Sequence, residues 1–329
     1  MRIRLEPQDE YMHALESAET FNESMYFNVY DPKVDVGAWF RLGNRANEGY
    51  AEMTTCIYLP NKTVAFMYGR PHIDNNDAFD AGGMRFDVVE PFKELRVTYE
   101  GKVAHLTEPN AMKDPRRAFT QSQHVDAAVE LTYRGLSPMM GGEPEWDEGD
   151  IVPETMQFAK GHYEQHVGAE GRITVGADAW DIDGYGLRDH SWGPRSWQAP
   201  YWYRWLTCNA GPDDGFMVSI IASRDGKVRR SGVVFEKGGY TPIVDAKLET
   251  RWTSEFDQEQ LVCVARTPDR EIQITGSVMS FIPLRNRREG KVTRIGEGLT
   301  EYVWEGKTGY GLSEYLDQIE DGLPVGVNS

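Results

Sequence analysis

At 329 residues, the chain exceeds the length at which a single hydrophobic core usually stops growing, so we expect two packed units. Its formal net charge of −17 repels phosphate backbones and anionic lipid headgroups, which argues against nucleic-acid binding. Three widely spaced cysteines predict neither a disulfide framework nor a cysteine-based zinc site. The sequence contains no run of about 18 uncharged apolar residues, which a membrane-spanning helix would need. The N-terminus also lacks the apolar region of a signal peptide. The sequence therefore predicts a soluble, cytoplasmic protein with buried, reduced thiols.

Short runs of alternating apolar and polar residues, bounded by Gly, Pro, Asn and Asp, recur along most of the chain. This pattern is typical of β-sandwiches and β-barrels. After a short predicted helix over residues 7–18, the first half contains predicted strands at 24–30, 36–42, 50–59, 63–68, 84–89, 95–99, 102–106 and 126–133. The fold class predicted is all-β.

A polar, Gly- and Pro-containing stretch over residues 139–150 interrupts the strand pattern. We therefore predict two domains, 1–150 and 151–329. The second half contains predicted strands at 156–167, 172–176, 179–183, 202–208, 216–223, 228–236, 247–252, 260–266, 271–281 and 302–305. Apolar residues at helical spacing over 312–319 predict a second short helix near the C-terminus.

Residues 181–197 carry the mixture of side chains most suggestive of chemistry in the chain. The sequence runs Asp-Ile-Asp-Gly-Tyr-Gly-Leu-Arg-Asp-His-Ser-Trp-Gly-Pro-Arg-Ser-Trp. In a strand, successive side chains point to opposite faces. Alternation therefore predicts one face with Arg188, His190 and Trp192 and another with Leu187, Asp189 and Ser191.

The run Gly-Tyr-Gly-Leu-Arg-Asp-His-Ser-Trp-Gly over residues 184–193 resembles the Asp-His-x-Trp-Gly signature of the AttH and carotenoid 1,2-hydratase (hydroxyneurosporene synthase) superfamily. The resemblance is specific over residues 163–205. Further features are similar to that superfamily and to one bacterial branch of it: His-Tyr-Glu-Gln at 162–165, the aromatic run at 201–205, Gly-Tyr-Gly-x-x-Glu at 309–314, Glu-Ser-Met-Tyr-Phe at 23–27 and Trp-Phe-Arg-x-Gly-Asn at 39–44.

This resemblance implies two lipocalin-like (calycin) antiparallel β-barrels in tandem, with short terminal helices and the Asp-His-Ser-Trp-Gly motif in the second barrel. It also implies an apolar pocket near the domain junction. Superfamily members add water to isolated double bonds, or cyclise polyenes and terpenoids, without an organic cofactor. The substrate class implied is a hydrophobic terpenoid, steroid-like or aromatic molecule.

Hydration or cyclisation of an alkene needs a proton donor, a surface that tolerates a cation, and control of water. Asp189, kept protonated by neighbouring rings, is the predicted acid, and His190 is predicted to hold or return the proton. Glu164 is the second acid/base candidate, because alternation places it on one face with His162 and His166. Ring faces of nearby aromatic residues would stabilise a cation by about 0.5 to 2 kcal/mol each.

The predicted catalytic residues are thus Asp189, His190 and Glu164. The remaining predicted site residues are assigned to substrate binding: Arg188, Trp192, Arg195, Trp197, Tyr201, Trp202, Trp205, His162, Tyr163, Trp39 and Arg41. No metal and no cofactor are predicted, and the partner is a hydrophobic small molecule. A homodimer is compatible with the sequence.

Four other interpretations stay open. Arg188 and Asp189 would form an internal ion pair, with His190 a hydrogen-bonded core residue, if the motif were purely structural. A metal site from His162, Glu164, His166 and His190 is disfavoured, because residues four apart in a strand lie about 13 Å apart. If the chain is not an enzyme, the leading alternative is a non-catalytic carrier of a hydrophobic small molecule. A further alternative is a scaffold protein, which would need an exposed apolar patch.

Overall fold

The computed structural model of the chain describes residues 2–145 and 159–327. Contacts between Cα atoms divide it into two compact units. Unit 1 comprises Met1–Thr107 and Ser122–Ser196, and unit 2 comprises Glu108–Gln121 and Trp197–Ser329. The predicted all-β class is confirmed: apart from α1 (Pro115–Gln121) and three 3-10 segments, the regular structure of the described residues is antiparallel strand.

Unit 1 is built on one 12-stranded sheet. Its strands are β1 (Arg2–Arg4), β2 (Phe21–Asp31), β3 (Val36–Arg45), β4 (Tyr50–Tyr58), β5 (Val64–Gly69), β6 (Phe79–Ala81), β7 (Met84–Glu90), β8 (Glu94–Leu106), β9 (Gln123–Gly135), β10 (Met140–Glu145), β11 (Gly161–Val175) and β12 (Asp178–Pro194). The 3-10 segments of this unit are Pro7–Glu10 and Ala46–Glu48.

The pairings close this sheet into a ring. The order is β11, β12, β2, β3, β4, β5, β8 and β9, and β9 pairs back onto β11. Eight strands make a barrel whose interior is just wide enough to be filled by side chains or by one small ligand. The ring is therefore barrel-like, as the resemblance implies, but it includes β11 and β12, which lie beyond the predicted first domain of residues 1–150.

Strand β2 is buried along its whole length, and its two faces differ in chemistry. One face carries Met25, Phe27 and Val29, which belong to the apolar core of unit 1. The opposite face carries Asn22, Ser24, Tyr26 and Asn28, which are polar or aromatic and also buried. We call the first the inner face and the second the outer face of the unit 1 sheet. A buried polar face must satisfy its hydrogen bonds within the protein, with ordered water or with a ligand.

Unit 2 contains a second antiparallel, barrel-like sheet. Its strands are β13 (Trp202–Asn209), β14 (Asp214–Ala222), β15 (Val228–Glu236), β16 (Gly239–Ile243), β17 (Asp245–Trp252), β18 (Gln258–Arg266), β19 (Glu271–Arg288), β20 (Lys291–Trp304), β21 (Lys307–Glu320) and β22 (Leu323–Pro324). The strand order is β16, β15, β14, β13, β21, β20, β19, β18 and β17. The 3-10 segment Pro109–Lys113 and α1 also belong to this unit, and Lys113 Nζ lies 2.7 Å from Asp257 Oδ2.

Both predicted terminal helices need correction. Residues 312–319 lie in β21, which pairs with β13 and β20. This strand is buried on both faces, so its apolar residues do not alternate, and their spacing resembles that of a helix. Within the predicted N-terminal helix, only Pro7–Glu10 is helical, as a single 3-10 turn.

The Asp-His-Ser-Trp-Gly motif lies on β12, in unit 1, and not in the second barrel as the sequence predicts. The reason is ring closure: β11 and β12 complete the first barrel by pairing with β9 and β2. The predicted domain boundary between residues 150 and 151 lies outside the described residues.

The three cysteines, Cys56, Cys208 and Cys263, are buried and unbridged, as predicted. Burial raises the pKa of the Cys263 thiol to about 12. No helix among the described residues is long and apolar enough to cross a membrane.

Candidate functional site

Strand β12 presents its motif residues alternately to the two faces of the unit 1 sheet, as predicted. Arg188, His190 and Trp192 pack on the inner face around Tyr163 of β11. Asp189 points to the outer face, where it is the Cα partner of Glu164. The three predicted catalytic residues are therefore split: Asp189 and Glu164 lie together, whereas His190 lies on the other side of the sheet.

On the outer face, the imidazole of His162 bridges two carboxylates. His162 Nε2 lies 3.6 Å from Glu164 Oε1 and 3.6 Å from Asp189 Oδ2. The side chain of His162 is 43% exposed, whereas those of Asp189 and Glu164 are 15% and 6% exposed. Partial loss of solvent lowers the pKa of His162, but the nearby carboxylates of Asp189 and Glu164 outweigh this, so its pKa is raised. We call these three residues the His162 cluster.

Three other predicted substrate-binding residues share the outer face with this cluster. Arg195 donates from Nη1 to Ser191 Oγ at 2.6 Å. Arg41 lies in the cross-strand row that runs from Asp189 through Tyr26, and the ring of Trp39 stacks on Tyr26 at 6.1 Å between centroids. The outer face therefore combines titratable groups, two arginines and aromatic rings on adjacent strands.

The inner face contains a buried ion pair centred on Arg188. Its guanidinium binds both oxygens of Glu10, at 2.7 and 2.8 Å, and donates from Nε to Gln165 Oε1 at 2.9 Å. Arg188 and Glu10 side chains are 0% exposed. Burial raises the pKa of Glu10, but the charge and hydrogen bonds of Arg188 outweigh it, so the net shift is downward and the carboxylate is ionised. Arg188 thus pairs with Glu10, and not with Asp189 as the structural interpretation supposed.

A chain of hydrogen bonds continues from this pair to His190. The hydroxyl of Tyr163 donates to Glu10 Oε1 at 2.6 Å and lies 3.1 Å from His190 Nδ1. Burial, outweighing Arg188, raises the pKa of Tyr163 well above its usual value, so the phenol is neutral. His190 Nε2 lies 3.0 Å from Glu23 Oε1. His190 is therefore a core residue with a partner at each ring nitrogen.

Comparison with family profiles shows to which protein family the chain belongs. The family profile described as "Domain of unknown function (DUF7064)" matches residues 6–319. The chain belongs to the DUF7064 family. No curated protein sequence matches it.

The fold of this DUF7064 chain is similar to that of several solved structures. The crystal structure of CghA aligns with a TM-score of 0.56 and 11% identity, covering 92% of this chain and 88% of that one. A structure of CghA with Sch210972 gives a TM-score of 0.55 at 11% identity, covering 92% and 89%. A Nitrosomonas europaea protein assigned as AttH (NE1406) gives 0.53 at 11% identity, covering 92% and 96%. At this identity, the comparison shows the shared fold alone.

The other predicted substrate-binding aromatics of the DUF7064 chain lie in unit 2. Trp202 packs in the core of that unit, with Arg204 over its ring at 5.1 Å. Tyr201 donates to Glu320 Oε2 at 2.9 Å, and the backbone oxygen of Trp197 accepts from Gln318 Nε2 at 3.0 Å. Trp205 is the Cα partner of Glu314. Their assignment to substrate binding stays a prediction.

Sequence reasoning missed three residues that the inner face brings together with the motif: Glu10, His13 and Glu23. Glu23 stands opposite Trp192 across the β12–β2 pairing, and Glu10 and His13 precede β2. One signal was available: Glu23 opens the Glu-Ser-Met-Tyr-Phe run, immediately before the strand predicted at 24–30. In the structure Glu23 is fully buried, and a buried carboxylate needs a partner.

A further pair of acids in unit 2 was also missed. Glu297 and Glu314 are Cα partners on β20 and β21, and both are buried. The hydroxyl of Tyr203 donates to Glu314 Oε1. Burial, reinforced by the charge of Glu314, raises the pKa of Glu297 well above its usual value. The folded chain therefore holds a proton on Glu297 that the unfolded chain releases above about pH 4.3.

This difference makes unit 2 less stable as the pH rises. Because the native state binds more protons, the free energy of unfolding falls between the ordinary glutamate pKa and the raised one. We expect Glu297→Gln to flatten this loss and to be more stable than wild type at pH 8, measured by urea unfolding at pH 5 and pH 8. Glu301→Gln, on the same strand, is the control and should follow wild type. Equal pH dependence in all three proteins would contradict the shift.

Proposed function

We propose that this chain is an enzyme that performs acid/base chemistry, without an organic cofactor, on a hydrophobic terpenoid, steroid-like or aromatic molecule. The reactions that fit are hydration, dehydration, and cyclisation or isomerisation of a double bond. The observation that carries this proposal is the His162 cluster, in which an imidazole with a raised pKa lies between two carboxylates.

The cluster has the parts of a proton-transfer site. The raised pKa of His162 favours the protonated ring more than in a free imidazole, which is the direction that a general acid requires. Glu164 and Asp189 hold the imidazolium in place, and either carboxylate can accept a proton from water or substrate. The exposed part of the His162 ring gives a ligand access, whereas both carboxylates are largely shielded from water.

The surrounding face supplies the other requirements. Arg195, bound to Ser191, and Arg41, paired with Glu52 Oε2 at 3.1 Å, place positive charge on this face for a polar end of the ligand. Trp39 and Tyr26 offer ring surface. Cations placed over aromatic rings gain about 0.5 to 2 kcal/mol per ring. The fold agrees with a small-molecule ligand, since one structure of the same fold was determined with Sch210972.

The second candidate function is that of a carrier. It is favoured by the closed ring of eight strands, because such barrels bind one small apolar ligand without any chemistry. A carrier has no use for a raised imidazole pKa between two carboxylates, and this is why the enzyme is preferred.

The test is a ligand screen that also detects turnover. Purified full-length protein is screened by thermal shift and native mass spectrometry against terpenoid, steroid and aromatic panels, and each hit is followed for a change in mass or retention time. We expect a product heavier or lighter by one water, or an isomer of the ligand. Stoichiometric binding of a ligand that stays unchanged would overturn the enzyme in favour of the carrier.

A further inference from the structure

Two histidines and one glutamate converge on the inner face of unit 1, on the other side of the sheet from the His162 cluster. His13 Nδ1 lies 2.6 Å and His190 Nε2 lies 3.0 Å from the same atom, Glu23 Oε1. All three ligand-type atoms lie within 4.8 Å of one another. Glu23 and His190 are 0% exposed, and the His13 side chain is 19% exposed. Both rings are therefore directed at one carboxylate oxygen, His190 from β12 and His13 from the segment that precedes β2.

His190 is held between two oxygen atoms. Its Nδ1 lies 3.1 Å from the hydroxyl oxygen of Tyr163, which donates to Glu10 Oε1 at 2.6 Å. Its Nε2 lies 3.0 Å from Glu23 Oε1. The ring is therefore fixed in the orientation that directs Nε2 at the carboxylate of Glu23.

The carboxylate of Glu23 is held as a ligand from one side. Its Oε2 accepts from the backbone N–H of His13 at 2.9 Å and from Asn76 Nδ2 at 2.5 Å. The same N–H of His13 also lies 3.1 Å from Oε1, the oxygen that faces the two rings. These donors fix the orientation of the carboxylate, as hydrogen bonds to metal-binding carboxylates do.

The far nitrogen of each ring also lies near an oxygen atom. His190 Nδ1 is 3.1 Å from the hydroxyl oxygen of Tyr163, and His13 Nε2 is 3.4 Å from Asp9 Oδ1, a charge contact without hydrogen-bond geometry. Metal-binding histidines almost always donate their second ring N–H to such a group, which fixes the tautomer that binds the metal. Ring packing restricts the imidazoles further: Trp192 stacks on His13 at 4.0 Å, and Phe79 meets His190 edge-on at 5.7 Å.

We propose that His13 Nδ1, His190 Nε2 and Glu23 Oε1 bind one divalent transition-metal ion of the zinc class. Two imidazoles and one carboxylate form a donor set typical of zinc. With metal–ligand bonds of about 2.0 to 2.2 Å, tetrahedral ligand atoms lie about 3.3 Å apart, so small outward movements of the two rings suffice. This site is separate from the proposed acid/base function and does not depend on it.

The test uses the full-length protein, stripped with a chelator and titrated with Zn²⁺ alone. We expect one Zn²⁺ per chain by elemental analysis and calorimetry, and a visible absorption band when Co²⁺ is used in its place. His13→Ala, which alters the partly exposed ligand, should weaken Zn²⁺ binding at least about 100-fold and abolish the Co²⁺ band. Asp9→Asn should weaken binding about 10- to 100-fold through the second ring nitrogen of His13.

His105→Ala is the matched control, because it removes a histidine from β8 of the same unit, where the ring contacts Thr63. It should bind Zn²⁺ as wild type does. Failure to bind stoichiometric Zn²⁺, or equal binding by wild type and His13→Ala, would overturn the proposal. A ¹⁵N spectrum that shows His190 protonated at both nitrogens, and unchanged by Zn²⁺, would do the same.

Discussion

Replacing Arg188 with alanine is expected to lower the free energy of unfolding by about 3 to 5 kcal/mol, the cost of removing one partner from a buried ion pair. Both side chains of the Arg188–Glu10 pair are 0% exposed, and Glu10 has no other cation beside it at hydrogen-bond distance among its described contacts. Alanine would leave the carboxylate buried and uncompensated. Chemical unfolding in urea, followed by tryptophan fluorescence, measures the effect.

Two companion variants separate the ion pair from the simple loss of a long side chain. Arg172→Ala removes an arginine from β11 whose pair with Asp181 is exposed at the surface, and it should change stability by no more than about 0.5 kcal/mol. Replacing both partners with apolar residues, as in Glu10→Leu combined with Arg188→Met, should recover much of the loss. If Arg188→Ala costs no more than Arg172→Ala, the network does not stabilise unit 1 as described.

The second large effect concerns the proposed chemistry. His162→Gln is expected to lower kcat/KM by about 100- to 10,000-fold, the usual contribution of a general acid or base, with little change in KM. The raised pKa of His162 also sets a direction for the pH profile. If its proton is the one delivered, activity persists above pH 6.5 and declines as the pH rises through the raised value.

The measurement is the pH dependence of kcat/KM for wild type and variant on whichever ligand is converted. In His162→Gln, the residual rate should lack the alkaline decline. His105→Gln, at a histidine away from the outer face, should keep the wild-type profile. An unchanged alkaline limb in His162→Gln would assign that titration to another group.

The alternation within the motif was predictable because the repeat of a strand is two residues, whatever the tertiary structure. It correctly separated Arg188 from Asp189 and grouped His162 with Glu164. The partner of Arg188 was not predictable in this way. Glu10 is 178 residues away in the sequence, and only closure of the barrel brings the two together. A single sequence contains no signal for a register of that kind.

The helix predicted over residues 312–319 shows the limit of periodicity. Leu312, Tyr315 and Leu316 are all buried, although they occupy both faces of β21. A strand that is covered on both sides loses its alternating pattern and mimics the spacing of a helix. Strand order and pairing decide the structure here, and neither can be deduced from hydrophobicity alone.

The sequence also did not predict which segments belong to which of the two units. The segment Glu108–Gln121 belongs to unit 2 although it lies between strands β8 and β9 of unit 1. The contacts of this segment are long-range: Lys113 Nζ lies 2.7 Å from Asp257 Oδ2, and Asp257 Oδ1 in turn lies 2.6 Å from Arg294 Nη2. The change of composition over residues 139–150 predicted a boundary elsewhere in the chain and did not identify this segment.

The most direct measurement of the central claim compares Asp189→Asn with Asp183→Asn in single turnover on a converted ligand. Both residues lie on β12 and are separated by an even number of positions, so they share a face, but Asp183 is exposed and pairs with Lys33. We expect Asp183→Asn to form product at the wild-type rate. Asp189→Asn should bind the ligand within a few-fold of wild type and form no product above background. Turnover by Asp189→Asn at the wild-type rate would contradict the assignment of the His162 cluster as the acid/base centre.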